Sequence, residues 1–203
     1  MELMRARLPY NIDITEIDGF DDLHHAEGLL KELQENAARV FHAEETHYLV
    51  NGSTVGLLSA VMGCTERGGR ILMARNCHKS VYNAVYINEL RPVYIYPEFS
   101  EETDLNGEIH VDQVRKLLEE HKDVQAVVIV SPTYEGVVSD IEAIAEIVHE
   151  YKIPLIVDEA QNLSPAAVEE LRMLSNFQLE DHALLQSFLI GQPEFRATMQ
   201  SEH

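Results

Sequence analysis

The sequence predicts an α/β fold: three layers, with a mostly parallel sheet carrying helices on both faces. Three observations point there. Apolar runs rich in β-branched residues alternate with helix-period patterns along most of the chain. The runs Ala126-Val127-Val128-Ile129-Val130 and Pro154-Leu155-Ile156-Val157 are apolar without a break, as strands covered on both faces must be. Helix-start signals fall between such runs, which is the βα alternation of a parallel sheet. At 203 residues and 45% hydrophobic content, the chain is long enough to bury a sizeable core.

In chain order, the period of apolar residues predicts a helix over 21–41 and a β-prone strand at 46–50. Asn51-Gly52-Ser53-Thr54 then opens a helix over 54–64. A strand at 70–74 leads to a helix at 79–90, and a strand at 92–96 to a helix at 111–121. The long apolar run gives a strand at 125–131. Ser139 is placed to cap the next helix, 140–151, with Glu142 three residues on in capping-box position. A strand follows at 153–158. Ser164 and Pro165 start a helix over 165–176, and 184–190 reads as a last strand.

Charge and composition exclude several function classes. A formal charge of −20, from 35 acids against 15 bases, argues against binding to nucleic acid or an anionic membrane, since both reward basic surfaces. No run approaches the roughly 20 apolar residues of a membrane span, and the start Met-Glu-Leu-Met-Arg-Ala-Arg has no apolar core for secretion, so a cytoplasmic location is expected. Cys64 and Cys77 form no CxxC pair and suit reduced thiols. His24 and His25 are adjacent and lack the one-turn spacing of a helical metal site, so no metal is expected.

Candidate binding residues gather at the carboxyl ends of the strands. Asn51–Gly56 follows a strand and opens a helix, where free N–H groups, the helix dipole and the Ser53 and Thr54 hydroxyls suit a phosphate. His78 lies just beyond the 70–74 strand, Thr133 beyond 125–131, and Asp158 ends 153–158. Ligands of open α/β sheets bind at that edge. Each residue also has a local reading: His78 and Asp158 as helix caps, Thr133 as a turn former.

Residues 13–160 resemble the bacterial type of pyridoxal-phosphate-dependent Orn/Lys/Arg decarboxylases, members of the aspartate-aminotransferase fold. The stretches that carry the resemblance are DITEIDGFDDLHHAEG, YLVNGST, RNCHKSVYNA, SPTYEGVVSDI and IPLIVDEA. It implies an incomplete large domain of that fold and a carbon–carbon lyase ancestry. It further implies that Ser53 and Thr54 hold the phosphate of pyridoxal 5'-phosphate, that His78 stacks on its ring and that Asp158 pairs with the ring nitrogen. The pattern departs after Asp158. Gln161 and Asn162 stand where the family has an aromatic or His residue, and the family's Schiff-base lysine has no counterpart, because no lysine follows Lys152. The resemblance thus implies a cofactor-binding domain without turnover of amino acids on its own. The family's oligomers build sites at subunit interfaces, which implies a homodimer.

From Leu155 onward, LIVDEAQNLSPAAVEELRMLSNFQ and FLIGQPEF resemble the Walker B strand and sensor region of secretion-pathway AAA ATPases. On that alternative, Asp158 would serve magnesium through water, Glu159 would polarise the attacking water and Gln192 would lie near the γ-phosphate. No GxxxxGK[ST] loop occurs anywhere in the chain, so hydrolysis is not expected. The two resemblances predict a hybrid: a decarboxylase-like portion at 1–160 and an ATPase-like portion at 161–203, or a fusion product with no activity. In the decarboxylase-like reading the place beside the Asp158 strand is already filled. The 184–190 strand is therefore expected beside the 125–131 strand, or packed irregularly.

Overall fold

The computed structural model describes residues 21–41, 43–159, 178–179, 182–183 and 187–190. They group into two compact units within 1–48 and 49–203.

Among the described residues of the first unit, α1 (Leu29–Val40) is the single long element. The helix begins later than its apolar period suggests, because Asp21 organises the residues before it. The Asp21 carboxylate accepts from the N–H groups of Glu27, Gly28 and Leu30, at 3.0, 3.0 and 2.7 Å. These bonds, led by that from Glu27, hold its carboxyl down at about 2.

The second unit runs α2 (Gly52–Gly63), β1 (Arg70–Ala74), α3 (Lys79–Ile87), β2 (Arg91–Ile95), β3 (Phe99–Ser100), β4 (Leu105–Asn106), α4 (Val111–Glu120), β5 (Val124–Val130), α5 (Ile141–Glu150) and β6 (Leu155–Asp158). Short strands β7 (Gln178–Leu179), β8 (His182–Ala183) and β9 (Ser187–Ile190) follow. Five strands form one sheet in the order β2-β1-β5-β6-β9, each pair parallel. The β3/β4 and β7/β8 pairs are small antiparallel ribbons.

The path through the sheet explains the layers. The chain steps from β1 to β2 in one direction and from β2 through β5 to β6 in the other. Right-handed crossovers then put α3 on one face and α4 and α5 on the opposite one. The packing agrees, since α2 lies against α3 and α4 against α5. Ile71, Leu72 and Met73 of β1, Val127, Val128 and Ile129 of β5, and Leu155, Ile156 and Val157 of β6 are fully buried between these layers. That two-sided cover is why these strands read as unbroken apolar runs.

Three expectations are corrected. Residues 46–50 form no strand, and Leu49 and Val50 are exposed. A strand needs a neighbour for its backbone groups, and no described strand pairs with this segment. The tail strand is not displaced beside β5, whose two sides are taken by β1 and β6. Instead β9 pairs in register with β6, Leu155 opposite Ser187 and Asp158 opposite Ile190. Among the described strands none earlier than β9 takes the flank of β6 away from β5, and β9 docks there. Finally, α5 is capped by Asp140, whose side chain accepts from the Ala143 N–H at 3.0 Å, not by Ser139. The helix predicted over 165–176, and Gln161, Asn162 and Gln192, lie outside the described residues.

Candidate functional site

Turns after β1 and β5, together with the end of β6, build the carboxyl edge of these strands. After β1, the Arg75 N–H continues the ladder to the Ile95 carbonyl at 2.8 Å, and the Cys77 N–H closes a turn on the Ala74 carbonyl at 3.2 Å. The buried Cys77 thiol reaches the Val128 carbonyl of β5 at 3.7 Å, tying this turn to the neighbouring strand. His78 then caps α3. Its Nδ1 accepts from the Ser80 N–H at 3.3 Å and lies 2.7 Å from Ser80 Oγ. The local capping role is therefore real, and the imidazole is exposed at the edge.

After β5, Ser131 is fully buried and its backbone N–H donates to the Asp158 carbonyl at 3.2 Å. The Ser131 hydroxyl accepts from the Ser139 N–H at 3.1 Å, and the Ser139 hydroxyl accepts from the Ile109 N–H at 3.0 Å. Sequence reasoning missed this relay, because nothing in SPTYEGVVSDI marks Ser139 as facing inward. Thr133 closes the turn it was expected to form, exchanging backbone bonds with Val137 and Gly136 while its hydroxyl accepts from the Val137 N–H.

Asp158 ends β6 with only 3% of its surface exposed. Its Oδ1 accepts from the Glu159 N–H at 3.0 Å, and no other donor among the described residues reaches the carboxylate. Burial pushes its carboxyl upward. The Glu159 bond and the charge of nearby His78 pull the other way, while the Glu159 charge adds to the rise. The same proximity appears from the other side. Burial, with the Asp158 charge, drives the Cys77 thiol up to about 12. His78, Cys77 and Asp158 are thus electrostatic neighbours.

Ser53 and Thr54 sit in the first turn of α2. Asn51, its N-cap, makes no side-chain capping bond, and Gly52 enters the helix at φ +72°, a region that suits glycine. The far end of α2 marks its direction. Gly63, Cys64 and Thr65 line a shallow cavity of about 380 Å³ with Val124, Gln125 and Ile153, which lie at the amino ends of β5 and β6. The opposite end, carrying Ser53 and Thr54, therefore belongs to the carboxyl edge, and α2 itself packs on β6 and β9.

This donor set suits a phosphorylated aromatic ring with a protonated nitrogen. A helix start with free N–H groups and two hydroxyls serves a phosphate. A buried carboxylate with one oxygen unclaimed among the described residues serves a cationic ring N–H, and an exposed imidazole at the edge serves a ring face. A nucleotide-hydrolysing arrangement would need a lysine-bearing phosphate loop, which the sequence lacks. The direct β6–β9 pairing is what any parallel sheet growing outward from β6 produces.

Comparison with known proteins agrees with the larger resemblance. The family model for the Orn/Lys/Arg decarboxylase major domain matches residues 9–187, a range that includes Asp158 and extends past 160. The uncharacterized protein YaaO of Bacillus subtilis is 36% identical over 186 residues, 89% of this chain and 39% of its own. An arginine decarboxylase of Bacillus cereus is 36% identical over 162 residues, 80% of this chain and 35% of its own. Lysine decarboxylase A from Pseudomonas aeruginosa superposes with a TM-score of 0.61 at 26% identity, over 68% of this chain and 20% of its own. The chain thus spans about a third of the length of such curated relatives, and the ATPase reading of the tail draws no support from these matches. The chain belongs to the Orn/Lys/Arg decarboxylase family, whose members depend on pyridoxal phosphate, and it matches that family's major domain.

Proposed function

We propose that the chain is a decarboxylase-like domain that binds pyridoxal 5'-phosphate at the carboxyl edge of its sheet and does not by itself turn over amino acids. The observation that carries this reading is Asp158: a carboxylate almost fully buried beside His78, with one oxygen held by backbone and the other unclaimed among the described residues. A buried charge of this kind is costly unless a cationic partner arrives.

When bound, pyridoxal phosphate supplies an electron-withdrawing ring that stabilises charge left by a departing carboxylate. Asp158 keeps a proton on the ring nitrogen. Ser53, Thr54 and the opening N–H groups of α2 hold the phosphate. His78, anchored through Nδ1 to Ser80, covers one ring face. No lysine follows Lys152, so within these residues the named contacts are the ones that would hold the cofactor. Residues 1–160 supply the named contacts, and 161–203 contribute the strand that extends the same sheet. A homodimer is proposed on the family's precedent. An absorbance titration with pyridoxal phosphate, comparing the wild-type chain with His78→Ala and Ser53→Ala, tests the assignment. Each substitution should weaken saturable binding; Ser53→Ala should leave the melting temperature nearly unchanged, while His78→Ala also removes the α3 cap and should cost about 1 kcal/mol of stability.

A further inference from the structure

We propose that Arg75, with Tyr82 and Tyr94, forms an additional oxyanion site at the carboxyl end of β1, which takes the carboxylate or phosphate group of a small ligand. The Arg75 guanidinium carbon lies 5.5 Å from the Tyr82 ring centroid and 5.4 Å from that of Tyr94. Its Nη1 donates to the Tyr82 hydroxyl at 2.5 Å, and that hydroxyl donates to the Arg75 carbonyl at 2.6 Å. The Arg75 backbone is fixed by its bond to Ile95, and Tyr94 leans edge-on against Tyr96. Backbone and head group are both held in place, so little ordering remains to oppose a ligand.

What this held cation lacks is an anion. Arg67, Arg70, Arg91 and Arg115 each pair with a carboxylate. Arg75 has no such partner among the described residues, in a chain with 35 acids, and it is exposed. A guanidinium offers five in-plane N–H donors. The Tyr82 and Tyr94 rings, stacked on each other with centroids 6.4 Å apart, flank the head group from one side and one phenol takes Nη1, so the remaining donors suit the two oxygens of a carboxylate or phosphate. The net charge of −20 disfavours diffuse anion binding, so any anion that binds must be held by a local arrangement.

The test is side-chain NMR on the ¹⁵N-labelled chain, with the Arg75 Nε–H signal assigned by its loss in Arg75→Lys. Inorganic phosphate and acetate are titrated separately, and Arg115, already paired with Glu150, serves as the internal reference. The proposal expects the Arg75 signal to shift saturably with one or both anions while Arg115 stays still. It also expects several-fold weaker binding in Tyr82→Phe, which removes the orienting hydroxyl but keeps the ring. The difference between phosphate and acetate identifies the preferred oxyanion. An adventitious ion only, seen as a non-saturating drift shared by all arginines, would overturn it, as would saturation unchanged in Tyr82→Phe. Because the signal is local to Arg75, phosphate binding at α2 cannot imitate it.

Discussion

Glu159 holds Asp158 with its backbone: the Glu159 N–H donates to Asp158 Oδ1 at 3.0 Å, and Glu159 adopts φ +66° to do so. Left-handed backbone at a non-glycine residue costs about 1–2 kcal/mol. The strain sits directly after the carboxylate that the proposed cofactor needs, where it fixes one oxygen, the other being unclaimed among the described residues. Glu159→Gly keeps the N–H and relieves the strain. It should stabilise the unliganded chain by roughly 1 kcal/mol, read as an increased denaturant midpoint at unchanged slope.

Asp158→Asn should separate stability from binding. Burial raises the Asp158 carboxyl above its ordinary value in the folded chain, so the folded state holds this proton to higher pH than the unfolded state. As pH rises from the ordinary carboxylate value through the raised one, the unfolded state loses its proton first, and this group's contribution makes folding less favourable. An uncharged amide removes that penalty. The variant should melt higher than wild type at neutral pH, with the difference shrinking in acid. Its pyridoxal phosphate affinity should fall about tenfold or more, the worth of a charge-assisted hydrogen bond of roughly 1.5–3 kcal/mol. Thermal melts across pH, with and without cofactor, measure both.

Ser139 and Asp140 are neighbours with different jobs. Asp140→Ala removes the α5 cap and should cost about 1 kcal/mol. Ser139→Ala leaves the Ile109 N–H without its acceptor in a buried setting and should cost about 1–3 kcal/mol. Equilibrium unfolding of the two variants should rank Ser139→Ala as the more damaging. The reverse order would restore Ser139 as the cap.

Much of this fold was legible because its core strands are covered on both faces. Residues 70–74 and 155–158 were recoverable from apolar runs alone, and α4 from its period. Other boundaries depended on contacts that periodicity does not encode. The helix α3 stops at Ile87, not 90, because Glu89 turns to φ +53° and the Leu90 N–H folds back to the Val85 carbonyl at 2.9 Å. Residues 46–50 have strand composition but no described partner strand. At the proposed site, His78 and Asp158 are legible from their places after strands, whereas Ser53 and Thr54 are legible only from the helix start at Gly52, since the strand expected before them does not form. The Ser131–Ser139 relay and the Arg75–Tyr82–Tyr94 group are not, since both depend on which way side chains turn from loops.

The two cysteines should differ in reactivity. Cys77 is buried against Val128 and its thiol is pushed up to about 12, while the half-buried Cys64 is raised by burial alone. A thiol-reagent titration of the native chain near pH 8 should leave Cys77 silent, and the second equivalent should appear only in denaturant. Two equivalents reacting at one rate in the native chain would mean that the β1–α3 turn is not packed on β5 as described.

The central claim is that Ser53, Thr54, His78 and Asp158 of this chain form a pyridoxal phosphate site at the carboxyl edge of the sheet. It is tested most directly by titrating the chain with pyridoxal 5'-phosphate, followed by borohydride reduction and peptide mapping. Saturable binding that leaves no single dominant modified lysine is the predicted result. A single modified lysine accompanied by amino-acid decarboxylation, or the absence of saturable binding, would contradict it.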